Sequence, residues 1–132
     1  MPCAGRLLKS DVLRRMATSP STGLTIPDLV GEFGVDILSA KAIVDELQQE
    51  NLLRRDESGS YHLTEQGQVR ARLILRAHIL LETFFCDYLK LSVASAHHEA
   101  RHHEEATTQL LAIALEKYLN YPTRCACGLA LP

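Results

Sequence analysis

The sequence predicts a mainly α-helical fold, in which an N-terminal helix-turn-helix with a β-hairpin wing precedes a second helical domain. Three observations carry that prediction. Apolar residues recur at helical spacing along most of the chain. Two of the implied helices are short and meet at a glycine-containing turn, as in a helix-turn-helix. One stretch, residues 52–63, reads instead as two strands around a polar turn. With 132 residues and 46% apolar content the chain can bury one core or a pair of small subdomains, and its composition does not suggest disorder.

Residues 5–18 place Leu8, Val12, Leu13 and Met16 at helical spacing, and Ser19-Pro20-Ser21-Thr22-Gly23 breaks the pattern. Thr25 with Asp28 three positions on resembles a capping box, and Pro27 in the first turn costs no helical hydrogen bond. The helix so begun stops at Gly34, a residue suited to the left-handed cap. Asp36 or Ser39 can cap a third helix, with Leu38, Ile43, Val44 and Leu47 on one apolar face, running to about Glu50. Leu52-Leu53-Arg54-Arg55 and Tyr61-His62-Leu63 are the two strands of the wing, with Asp56 to Ser60 as the turn. Thr64 caps a long helix whose apolar residues run from Val69 to Leu91. Residues 92–106 form a largely polar fifth helix, and Leu110, Leu111, Ile113, Ala114 and Tyr118 give the apolar face of a sixth, which Tyr121-Pro122 ends. The domain boundary is placed at the start of the long helix, giving residues 1–64 and 65–132.

The net charge of −2 leaves no basic excess of the kind that announces a nucleic-acid binder: residues 1–70 hold eight Lys/Arg against ten Asp/Glu, and residues 71–132 six of each. The longest apolar stretch, Ala77 to Phe85, is far short of the roughly 20 residues of a membrane span and contains His78 and Glu82. No membrane association is expected, and no signal peptide is apparent. Cysteines at 3, 86, 125 and 127 show no secreted disulfide spacing, which favours a reducing cytoplasm. No nucleophile-and-base spacing appears, so an enzyme is not expected.

The chemistry concentrates between residues 78 and 103, where five of the six histidines are interleaved with glutamates. Imidazole and carboxylate together suit a first-row divalent metal. His78 and Glu82, four apart, share one side of a helix and can reach one ion. His97 shares a face with Arg101, Glu104 and Glu105; His98, His102 and Glu105 share another. The bland alternative is a set of solvated polar residues on an exposed helix. Cys125 and Cys127 can bind a soft metal or respond to oxidation, or be plain reduced thiols.

Four fragments in order now carry a resemblance: Leu63-Thr64-Glu65-Gln66-Gly67, Arg76-Ala77-His78-Ile79-Leu80-Leu81-Glu82, His97-His98-Glu99-Ala100 with Glu104 after it, and Cys125-Ala126-Cys127-Gly128 before Leu131-Pro132. On a winged-helix framework, they make the chain resemble, from about Asp11 onward, the diphtheria-toxin-repressor family of metal-dependent transcriptional regulators, which includes the manganese transport regulators. The resemblance is to the short members, which lack an SH3-like domain. It implies a winged helix that binds double-stranded operator DNA, later helices that form a homodimer, and two metal sites near the junction.

Carried over by position, His78, Glu82 and His97 fall on the ligands of one site. Asp11 and Glu104 fall on ligands of the second. Arg101 stands where that site has a cysteine or glutamate, and Glu105 where it has a histidine. An arginine cannot coordinate, so that site is lost, rearranged around residues such as Glu105, or replaced by an ion pair. A nitrogen-and-oxygen ligand set points to Mn²⁺ or Fe²⁺, with Zn²⁺ able to bind in vitro. The DNA-contact candidates are Ser39, Ala40, Lys41 and Ala42 at the start of the recognition helix and Arg54 and Arg55 at the wing, while Asp45 and Glu46 would repel phosphate. The expected function is therefore a metal-dependent DNA-binding regulator, a repressor of metal-uptake genes. Two alternatives stay open: a metal-independent winged-helix regulator, and a metal-binding or interaction module that has lost operator recognition.

Overall fold

A computed structural model describes residues 6–124 and 131–132. Its elements follow the order α1 (Lys9–Thr18), α2 (Ile26–Phe33), α3 (Ile37–Gln49), β1 (Leu53–Arg55), β2 (Tyr61–Leu63), α4 (Glu65–Asp87), α5 (Val93–His103) and α6 (Gln109–Tyr118). The chain divides into two compact units, residues 1–71 and 72–132, with α4 running through the boundary.

The first unit is a winged helix-turn-helix. At the start of α1 the Leu8 N–H donates to Asp11 Oδ2 at 2.9 Å, which satisfies one of the backbone donors a helix start leaves over. Thr25 and Asp28 form the reciprocal capping box at α2: Asp28 N–H donates to Thr25 Oγ1 at 3.2 Å and Thr25 N–H to Asp28 Oδ2 at 2.9 Å. Gly34 ends α2 at φ 66°, a left-handed conformation that costs glycine little. Asp36, not Ser39, caps α3, accepting from Ser39 N–H at 2.7 Å. Asn51 closes α3 at φ 60°, with Leu52 N–H donating to Leu47 C=O and Asn51 N–H to Gln48 C=O, both at 2.9 Å, a Schellman ending.

The wing pairs β1 with β2 antiparallel, Leu53 opposite Leu63 and Arg55 opposite Tyr61. Leu24 adds a bridge to Tyr61, which ties the segment before α2 to the sheet. The tip is held by one carboxylate: Asp56 Oδ1 accepts from Ser58 N–H (2.9 Å), Ser58 Oγ (2.6 Å) and Ser60 N–H (3.0 Å), and Oδ2 lies 2.7 Å from His62 Nε2. Those bonds, from Ser58 first and His62 next, hold the Asp56 carboxyl far below the usual range. Val12, Leu13, Met16, Leu29, Val44 and Leu47 are buried at the centre of this unit.

The opening of α4 belongs with the wing. Thr64 Oγ1 donates to Asn51 C=O at 2.7 Å and accepts from Gly67 N–H at 3.0 Å, and Asn51 Nδ2 donates to Gln66 Oε1 at 2.9 Å. A Cβ at Gly67 would run into the Leu52 carbonyl oxygen. The glycine in Leu63-Thr64-Glu65-Gln66-Gly67 is therefore what lets the helix start lie against the backbone of the wing.

In the second unit, Ile74, Ile79 and Leu80 of α4 and Ala96 and Ala100 of α5 are buried. Ser92 caps α5 by accepting from Ser95 N–H at 3.1 Å, and Thr108 caps α6 by accepting from Leu111 N–H at 3.2 Å. The α6 helix ends before Tyr121-Pro122, with Tyr121 N–H donating to Glu116 C=O at 2.8 Å. The anticipated apolar face of α6 is not covered: Leu110 is 80% exposed and Tyr118 61%, while Ala112 is buried. No described helix is long and apolar enough to cross a membrane.

Candidate metal centre

Four residues advance an α-helix by slightly more than one turn, so α4 presents His78 and Glu82 on the same side. His97 comes from α5, one residue after the buried Ala96. His78 Nε2 contacts Glu82 Oε1 directly and lies 3.1 Å from His97 Nδ1. His97 Nδ1 is 3.8 Å from Glu82 Oε1. One donor atom from each residue falls within 4.8 Å of the others, the one such group of three among the described residues. His78 and Glu82 are fully buried, and the His97 side chain is 46% exposed.

These residues fit a divalent ion. An ion bound at about 2.1 Å holds neighbouring donors roughly 3.0 Å apart in octahedral geometry and roughly 3.4 Å apart in tetrahedral geometry. The separations here lie around those values, so side-chain adjustments of well under an ångström would admit the ion. Burial pushes the Glu82 carboxyl up, but the hydrogen bonds and charge of His78 and His97 outweigh it and bring it down to about 2. Glu82 is thus a carboxylate, the form in which it can coordinate, throughout the working pH range.

Glu104 lies against His78. It is 2% exposed, and its Oε2 lies 2.6 Å from His78 Nδ1. Both ring nitrogens of His78 thus face a carboxylate, Nδ1 toward Glu104 and Nε2 toward Glu82; an ion taking the place of the Nε2 proton would leave Nδ1–H donated to Glu104, the way a carboxylate behind a ligating histidine fixes tautomer and ring orientation. Nothing in the helical spacing distinguishes such a support from a ligand, because both call for an acidic residue on the same face.

Glu105 is exposed, past the end of α5. Asp11 is fully buried in the first unit, where it accepts from the Leu8 N–H and pairs with Arg14 at 3.0 Å. Arg101 is 3% exposed, so α5 buries a guanidinium where a coordinating side chain was expected from the resemblance. Cys125 and Cys127 lie outside the described residues.

On the winged helix, Ser39, Lys41, Ala42, Arg54 and Arg55 are exposed. Ala40 is not: it is fully buried, so its methyl group packs into the core of the unit and cannot reach a base. The helix phase that turns Ile43, Val44 and Leu47 inward also turns Ala40 inward, three positions before Ile43. Leu38, anticipated on the apolar face, is instead 79% exposed next to Ile37 at 60%. These two apolar side chains at the start of α3 extend the surface formed by Ser39 and Ala42, and a helix start with bulky apolar residues beyond the buried phase is the signal that could have found them. Asp45 and Glu46 both face solvent.

Residues 64–132 match a family model described as the iron dependent repressor, metal binding and dimerisation domain. The chain is similar to the solved structure of the manganese regulator SloR, with 26% identity and a TM-score of 0.84, over 98% of this chain and 60% of that one. It is similar in fold to the metal-dependent transcriptional regulator MtsR (20% identity, TM-score 0.80, 95% of this chain and 59% of that one). IdeR from T. acidophilum gives 20% identity and a TM-score of 0.76, over 98% of this chain and 61% of that one. The chain thus spans about three fifths of the length of these structures. No curated protein sequence matches it. A winged helix followed by a matching metal-binding and dimerisation domain, with a histidine and glutamate cluster between two of its helices, places this chain in the iron-dependent repressor family.

Proposed function

We propose that the chain is a metal-dependent, homodimeric regulator of transcription that represses metal-uptake genes, with one divalent ion per chain held by His78, Glu82 and His97. The observation that carries this reading is the convergence of those three donors from α4 and α5 around a buried carboxylate. An ion there supplies a positive charge that ties α5 to α4. The chain's own residues do the rest: Glu82 and His78 provide a fixed wall, Glu104 orients His78, and His97 closes the set from α5. The nitrogen-and-oxygen donors suit Mn²⁺ or Fe²⁺ in use, and the structures similar to this chain include a manganese-dependent repressor with manganese bound. Asp11, engaged with Arg14, and Glu104, engaged with His78, support the single-ion reading over a second site completed by Glu105.

Residues 1–64 are the DNA-binding part in this reading. Lys41, Arg54 and Arg55 would contact phosphate, while Ser39 and Ala42 would face base edges with Ile37 and Leu38 beside them. Residues 65–132 would form the dimer and the metal site. Their exposed Leu110, Leu111, Ile113 and Tyr118 are an apolar surface of the kind a second copy covers. A dimer presents two recognition helices, and an ion that binds the competent arrangement more tightly shifts the population toward it.

A second reading, an interaction module without operator recognition, is favoured by the exposed Asp45 and Glu46 on α3, which would meet phosphate with like charge. Selection of duplexes from a random DNA pool, with and without Mn²⁺, separates the two. Enrichment of a two-fold-symmetric sequence that needs Mn²⁺, and that is lost in His78→Ala, is the expected outcome. If no sequence is enriched although Mn²⁺ binds, the module reading stands; metal-independent enrichment would make the chain a regulator that does not use the ion.

A further inference from the structure

Outside the buried cluster, α5 carries a second pair of imidazoles. His98 and His102 are four residues apart and both exposed, and their ring centroids lie 4.9 Å apart with planes at 80°. The sequence between them, His98-Glu99-Ala100-Arg101-His102, has the spacing with which helical sites hold zinc through two histidines one turn apart. We propose that His98 and His102 form a separate surface chelate for a late first-row divalent ion, Ni²⁺, Cu²⁺ or Zn²⁺, distinct from the site at His78, Glu82 and His97.

The distances support a shared ion. An imidazole nitrogen bound at about 2.1 Å puts its ring centroid roughly 3.2 Å from the ion, so two rings meeting at 90° to 109° have centroids about 4.5 to 5.2 Å apart. The separation of His98 and His102 falls inside that interval. So does that of His78 and His97, 4.8 Å at 72°, which gives a comparison within the same unit. The donor sets differ in kind. The buried cluster includes the Glu82 carboxylate, which suits Mn²⁺ and Fe²⁺, whereas the surface pair offers nitrogen alone and leaves the other positions to water. Affinity of nitrogen ligands rises along the first row toward copper, so the surface pair, with no carboxylate, holds Mn²⁺ more weakly than the buried cluster does. Glu99 is drawn toward His103, 3.8 Å away, and not toward the pair.

The consequence is a different stoichiometry for different ions: Ni²⁺ should occupy one more position per chain than Mn²⁺. The test is equilibrium dialysis of the full chain against Ni²⁺, and separately against Mn²⁺, with His98→Ala, His102→Ala and His103→Ala run beside it. His103 is an exposed histidine of the same helix that lies outside the pair, so it controls for loss of an imidazole as such, and thiol sites are common to every variant. The expected result is one Ni²⁺ per chain beyond the Mn²⁺ count, whose affinity drops about tenfold or more in His98→Ala and in His102→Ala, because each leaves a single imidazole without its neighbour, while His103→Ala matches the parent. Equal loss in all three variants, or Ni²⁺ uptake unchanged in His98→Ala and His102→Ala, would overturn the proposal. Circular dichroism of each variant checks that the helix content is intact.

Discussion

The two units solve opposite problems. In residues 6–71 nearly every device is internal: caps at α2 and α3, a Schellman ending, a carboxylate that closes the wing tip, and three large apolar side chains left exposed, two of them at the start of α3. The described part of residues 72–132 leaves nine exposed and encloses His78, Glu82, Glu104 and Arg101. A buried set of ionisable groups stabilises a fold poorly by itself, since desolvation offsets much of the pairing. The first unit, which among its described charged groups buries only the Asp11–Arg14 pair, is largely closed within itself, and in the proposed reading the second receives an ion and another protein surface. Within one chain of average composition, completeness and receptivity have been allotted to different segments.

The largest expected effect sharpens that contrast. His78→Ala should lower Mn²⁺ affinity at least 100-fold, about 2.7 kcal/mol, in anaerobic calorimetry, because it removes a ligand and leaves Glu82 and Glu104 facing a hole. An affinity within threefold of the parent would mean that the ion is held elsewhere. Gly67→Ala addresses the other unit: forcing a Cβ against the Leu52 carbonyl should cost about 3 kcal/mol in urea unfolding while leaving Mn²⁺ stoichiometry unchanged in the folded fraction. Full stability in this variant would show that the helix start does not need the close approach.

Glu104→Gln should weaken Mn²⁺ binding about tenfold, since the amide keeps the shape but loses the charge that orients His78. A loss as large as that of His78→Ala would make Glu104 a ligand in its own right. The acid limb of stability in the metal-free protein is a smaller effect. Glu82 titrates near 2 in the folded chain, below its ordinary 4.5, so its contribution is complete above 4.5 and is lost as the pH falls through about 2. Urea melts between pH 2 and 5 should therefore slope less steeply in Glu82→Gln than in the parent, and parallel slopes would count against the ion pair. Thr25→Ala, which removes the cap of α2, should cost about 1 kcal/mol, and a change under 0.3 kcal/mol would show that Asp28 alone suffices.

How much of this was legible beforehand follows the same division. The winged helix could be read closely because its signals are local: Thr25 with Asp28, Gly34 after α2, Asp36 before α3, and the polar turn from Asp56 to Ser60 all act on backbone within a few residues. Periodicity did less well where the outcome depends on what covers a face. It grouped Leu38 with Ile43 and Leu110 with Tyr118, but spacing cannot say that Leu38 and the α6 residues would stay exposed, nor that Ala40 would be the one turned inward. The contact of His78 with Glu82 was legible because both lie on one helix. The contact of Glu104 with His78 was not, since its partner is 26 residues away and an acidic side chain reads the same whether it holds an ion or a histidine.

The exposed ring of His97 gives the proposed site a time constant. Two of its three walls are buried in packed positions of α4, so an ion would exchange when one imidazole swings aside, a rotation of the kind exposed side chains make in picoseconds to nanoseconds. Unfolding of the helix pair is not required. Release would then be limited by the breaking of coordination bonds, and the protein would follow a falling ion supply promptly, with no memory of its earlier loaded state.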